Sequence, residues 1–156
     1  MASDLDSELR SGTLNPPLIV GFGKAVELAI ARLDSESKSL AILRDRLLTH
    51  LMTELGDDRL VIHGSLTHRL SNNLNLSIRG IDGTALMLAL WETVAISSGS
   101  ACGSAKNKPS HVLEALEVDP ELAIGSLRFG LGHGTTEAMI DQVAAAIVQA
   151  VRNLEC

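Results

Sequence analysis

Aromatic residues are almost missing from this chain: two Phe, one Trp and no Tyr among 156 residues, 2% in all. A core therefore has to be built from Leu, Ile, Val and Ala, and stacking platforms for bases or sugar rings are not expected. Basic residues are also short, 13 Lys and Arg against 19 Asp and Glu. The net charge of −6 is scattered, with no basic stripe to neutralise phosphates, which argues against direct nucleic-acid binding. No apolar run approaches membrane-spanning length, and MASDLDSELRSG carries acids where a secretory or organellar leader carries bases. The expectation is a cytoplasmic protein with no membrane partner. Cysteine is scarce as well. Cys102 and the terminal Cys156 make no disulfide framework, so a reducing compartment fits and Cys102 is left as a free thiol.

What is present is an ordinary globular balance, 46% hydrophobic and 21% charged, long enough for one domain with a real core. The apolar positions Ile19, Val20, Val26, Leu28, Ile30 and Leu33 predict a helix from Pro17 to about Leu33, with Gly21 and Gly23 weakening its first turns. Leu40, Leu43, Leu47 and Leu51 recur at three and four residues, predicting a second, amphipathic helix to about Gly56 with Arg44, Asp45 and Arg46 on its polar face. After a turn at Asp57 and Asp58, Arg59 to His63 and Asn72 to Arg79 alternate like strands. The second of these turns Leu74, Leu76 and Ile78 to one face and Asn73, Asn75 and Ser77 to the other. Asp82 can cap a helix through Trp91, and Pro109 stands where a helix can restart. Ser126 to Leu131 reads as a strand, and Thr135 or Thr136 caps a last helix carrying Ile140, Val143, Ile147 and Val151. Helices first and then strands interleaved with helices predict an α+β domain with a small antiparallel or mixed sheet covered on one face.

The stretch SSGSACGSA, from Ser97 to Ala105, puts Cys102 on a loop without large apolar residues, so it lacks the packing partners of a buried, inert thiol. Lys106 and Lys108 follow closely and favour a thiolate, the nucleophilic form. His63, His111 and His133 are all open as a base for such a nucleophile. None of the five histidines has ligand spacing, so no metal site is expected. Arg128, between Leu127 and Phe129 on a predicted strand, must find an anion. An internal carboxylate and the carboxylate of a ligand are both open. Arg10-Ser11-Gly12-Thr13 has the look of a small anion-binding turn.

RSGT at Arg10, LIVGFGKA, SNNLNLSI, SSGSACGSA, PSHVLEAL and SLRFGLGHGTT, in this order over nearly the whole chain, resemble the cysteine desulfurases. These are pyridoxal-phosphate enzymes of the class V aminotransferase family, and the resemblance is to the NifS and IscS branch. It implies the C-terminal part of a fold-type I enzyme, with residues 14–56 a helical segment and 57–156 the small α+β domain. It implies that Cys102 attacks the sulfur of L-cysteine, becomes a persulfide and delivers the sulfur to an acceptor such as an iron-sulfur scaffold. Arg128 corresponds to the residue holding the substrate carboxylate, and Thr13 to one that reaches the cofactor phosphate.

The chain also departs from that pattern. The family's cofactor lysine lies in a Ser-x-His-Lys motif, and none of Lys24, Lys38, Lys106 and Lys108 has that context. The large pyridoxal-phosphate domain is therefore expected to be absent from this chain and supplied by another. MASDLDSEL replaces a glycine-rich run, His133-Gly134 stands where Arg-Phe is usual, and Ser71 replaces a proline. Two expectations follow: a sulfur-transferring half of an oligomeric enzyme, or a non-catalytic fragment that serves as a dimerisation module or persulfide acceptor.

Overall fold

The computed structural model describes residues 13–98 and 110–155. The chain forms two compact units, Met1–Ser35 and Glu36–Cys156. Helix α1 (Pro16–Leu55) begins where the Asn15 side chain accepts from the Leu18 backbone N–H at 3.3 Å. Two helices were expected here, and there is one of 40 residues. The intervening DSESKS contains neither proline nor glycine, so nothing in it stops the helix. In the first unit, α1 exposes Leu18, Ile19, Val20, Phe22, Ile30 and Leu33, each more than half accessible.

The second unit is built on a four-stranded antiparallel sheet in the order β1 (Leu60–Ile62), β2 (Asn73–Ile78), β4 (Leu127–Gly130), β3 (Ser97–Ser98). A 3-10 turn, Asp57–Arg59, leads into β1. Registers are Ile62 opposite Leu76, Leu74 opposite Phe129, and Ser97 opposite Arg128. The α+β class and the small sheet thus agree with the sequence pattern. Two-residue periodicity sends Leu74, Leu76, Ile78, Leu127 and Phe129 to one face. There they join Leu40, Leu43, Leu47, Leu51 and Leu55 of α1, Leu86 of α2 (Gly83–Ala89), and Ile140, Ile147 and Val151 of α5 (Glu137–Leu154) in one core.

Local chemistry sets the helix starts. The Asp82 carboxylate accepts from the N–H groups of Thr84 and Ala85, and the Thr136 hydroxyl accepts from Met139 N–H. Arg44 departs from the expected polar face and is buried, because position 44 lies four residues after Leu40 and three before Leu47 on the same stripe. Its guanidinium reaches out to Asp45, with Nε 2.8 Å from Oδ1, so the aliphatic stem packs while the charge stays paired.

The second face of the sheet carries two short helices, α3 (His111–Ala115) and α4 (Pro120–Ile124). Helix α4 is an element the periodicity did not reveal. At five residues it is too short for a period, and its signal is the Asp119 cap on Glu121 N–H with Pro120 at the first position. It buries Ser77, whose hydroxyl donates to the Leu122 carbonyl at 2.6 Å. A Cβ on Gly83 would lie 2.1 Å from the carbonyl oxygen of Gly125, so this backbone approach needs glycine.

Candidate functional site

Arg128 stands on the face of β4 opposite the core, exposed between the buried Leu127 and Phe129. Its direct cross-strand partners are Asn75 on β2 and Ser97 on β3. With His63, Asn75, Ser110 and Leu113 it lines a cleft of about 240 Å³ between the sheet and α3. A larger cleft of about 420 Å³, beside Ile96, Phe129 and Val143, has no titratable side chain in its lining. Among the described residues no carboxylate lies within ion-pair distance of Arg128. Of the two partners left open by the sequence, an internal carboxylate is not found among the described residues.

His63 forms the opposite wall and is only 5% exposed. Its Nε2 is 2.7 Å from Ser77 Oγ, and the single Ser77 hydroxyl proton is already given to the Leu122 carbonyl. Nε2 therefore carries the hydrogen and donates, which leaves Nδ1 as a lone-pair acceptor. Burial pushes the His63 pKa below its ordinary value, and the neighbouring Arg69 cation adds to the effect. Arg69 is fixed by donating to the carbonyls of Ser65 at 2.6 Å and His63 at 2.7 Å. Asn75 Oδ1 is buried and has no hydrogen-bond partner.

Cys102, expected as the nucleophile, lies outside the described residues. It stands between Ser98 on β3, the strand paired with Arg128, and Ser110 at the cleft wall, where the described chain resumes. The first two residues of the predicted loop thus form a strand. Thr13 is exposed ahead of α1. His111 is exposed at the start of α3, and His133 Nδ1 is 3.7 Å from Glu36, so of the three candidate bases only His63 lines the cleft. Asn75 and Ser77 were read as solvent-facing from strand alternation. What that pattern could not reveal was that two short helices cover their face.

The class-V aminotransferase family model matches residues 1–143. The chain belongs to that family. Among class-V aminotransferases it is similar to the cysteine desulfurase IscS of Anaeromyxobacter sp. (strain Fw109-5), 50% identical over 145 residues, 93% of this chain and 35% of that protein. It is similar also to the cysteine desulfurase of Homo sapiens, 40% identical over 146 residues, 94% of this chain and 31% of that one. A solved NifS-like protein superimposes with a TM-score of 0.81 at 30% identity, covering 98% of this chain and 38% of its own. The chain thus spans about a third of the length of the curated relatives it matches. Similarity to pyridoxal-phosphate enzymes raises the question of where that cofactor fits. Of the described lysines, Lys24 pairs with Glu27 at 2.6 Å and Lys38 is exposed on α1, and neither lines the Arg128 cleft. The described residues fit a carboxylate, not a pyridoxal-phosphate cradle.

Among the described residues no group of three or more His, Cys, Asp and Glu can hold a metal ion. No described helix is long and apolar enough to cross a membrane.

Proposed function

We propose that this chain is the sulfur-accepting part of a cysteine desulfurase. Arg128 holds the carboxylate of L-cysteine, and Cys102 takes the substrate's sulfur as a persulfide for an acceptor such as an iron-sulfur scaffold. The observation that carries this reading is the Arg128 guanidinium, without an ion-pair partner among the described residues, in a small cleft beside β3. A planar guanidinium with two parallel N–H groups matches a carboxylate, and 240 Å³ suits a small amino acid better than a nucleotide. Cys102 follows Ser98 by four residues, which at roughly 3.5 Å per residue keeps it within about 14 Å of the strand beside Arg128.

Transfer forms an S–S bond at Cys102 and breaks the C–S bond of cysteine. The carbon left behind keeps the bonding pair and needs an electron sink. Pyridoxal phosphate with its lysine, from outside the described residues in a homo- or hetero-oligomer, would supply that sink, and a proton added to the carbon would give alanine. Thr13 is the candidate contact to the cofactor phosphate in that assembly. Calorimetric titration with L-alanine tests the carboxylate assignment. Arg128→Ala should abolish binding and Arg128→Lys retain a fraction of it, whereas unchanged affinity in Arg128→Ala would refute the assignment.

A second reading, a non-catalytic interaction module, draws on the exposed apolar side chains of α1, among them Leu18, Val20 and Phe22. It predicts association in the ultracentrifuge together with no transfer of sulfur from L-cysteine to Cys102 in the assembled protein.

A further inference from the structure

The Arg128 cleft contains acceptors that a carboxylate cannot satisfy. Ser77 consumes the His63 Nε2–H, so Nδ1 is an acceptor, and among the described residues nothing donates to it. Nδ1 is absent from the buried unpartnered atoms, so solvent reaches it. Asn75, directly across the strands from Arg128, brings a second oxygen without a donor, and this one is sealed from water. Buried polar atoms in native proteins nearly always have partners. The cleft lining is therefore of mixed polarity: among the described residues it has an unpaired donor fork at Arg128 and an unpaired lone pair at His63 Nδ1.

We propose that His63 is a ligand-reading residue of this cleft: its Nδ1 accepts a hydrogen bond from the ammonium group of an amino acid whose carboxylate lies on Arg128. The inference rests on the carboxylate assignment above and extends it from a carboxylate to a zwitterion. The groups facing His63 support the role. The loop after β1 brings the Arg69 cation, held on the carbonyls of Ser65 and His63, and β4 brings Arg128 across the cleft. Strand β2 brings the neutral Asn75 and Ser77, α4 brings the Leu122 carbonyl, and α3 brings Leu113. Burial and the Arg69 cation disfavour the imidazolium, and a neutral imidazole is what an ammonium donor requires.

The sign of a ligand-induced pKa change separates this arrangement from simple charge attraction. Accepting from an ammonium stabilises neutral His63, so L-alanine should lower its pKa. Propionate brings only negative charge and should raise it. The experiment is a pH titration of the imidazole nitrogens by NMR on the full chain, free, with L-alanine and with propionate. The His63 signal is assigned by its loss in His63→Gln. L-Alanine is expected to bind at least about tenfold more tightly than propionate, the preference of one hydrogen bond to a charged group. A rise of the His63 pKa with both ligands, or equal affinities that Arg128→Ala abolishes together, would overturn the role of His63 and leave the carboxylate assignment standing. Binding of both ligands that survives Arg128→Ala would instead refute the carboxylate assignment and this inference with it.

Discussion

His63 Nε2 and Ser77 Oγ lie 2.7 Å apart in the interior, and the same hydroxyl donates to the Leu122 carbonyl at 2.6 Å, so one side chain ties β1, β2 and α4 together. Ser77→Ala leaves a buried N–H and a buried carbonyl without their partner. Removing one member of a buried polar set costs about 1–3 kcal/mol, and urea unfolding should register that loss. In a cycle with His63→Leu the double variant should lose less than the two singles added, because the orphaned Nε2–H disappears. Strict additivity would mean that the relay contributes nothing as a unit.

The pH dependence of stability follows from the same histidine. Its folded pKa lies below the ordinary value near 6.5, because burial and Arg69 disfavour the imidazolium. Below about pH 6.5 the unfolded chain takes a proton at this position that the folded chain does not, so stability falls with pH until the folded pKa is reached. Above that window the contribution is fully present. His63→Gln keeps a donor for Ser77 and removes the titration. Urea midpoints from about pH 7.5 to 5.5 should therefore fall less steeply in the variant than in the parent. Parallel profiles would contradict the assigned shift.

Gly83 and Gly125 meet backbone to backbone, and an added Cβ at position 83 would lie 2.1 Å from a carbonyl oxygen that cannot rotate away. Helix propensity alone favours Gly83→Ala by up to about 1 kcal/mol. Overpacking should outweigh it, leaving a net loss of roughly 1–3 kcal/mol. A variant more stable than the parent in thermal unfolding would show that this contact yields more easily than its geometry implies.

The parts of the fold legible in the sequence are those where one periodicity acts alone. The stripe Leu40, Leu43, Leu47, Leu51 and the alternation of Leu74, Leu76 and Ile78 both point into the single core. Arg44 was misjudged because charge was taken to mean exposure, whereas its long stem fills the same stripe and its head reaches Asp45. Ser77 was misjudged because a polar residue on an alternating strand looks solvated until another element covers it. That element, α4, is too short for a hydrophobic period and is announced only by Asp119-Pro120. Arg128 could be found as an arginine among strand residues. His63 was one of three histidines left open as a base, and only the β1–β2 pairing, which places its N–H on the Asn75 carbonyl, singles it out.

The most direct test of the central assignment is the mass of the peptide that carries Cys102. The assembled, pyridoxal-phosphate-loaded protein is exposed once to L-cysteine, alkylated and digested. The account predicts an increase of one sulfur atom on Cys102, none in Cys102→Ser, and a strongly reduced yield in Arg128→Ala. An unmodified Cys102 in a protein that still consumes L-cysteine, or sulfur found on Cys156 instead, would contradict it.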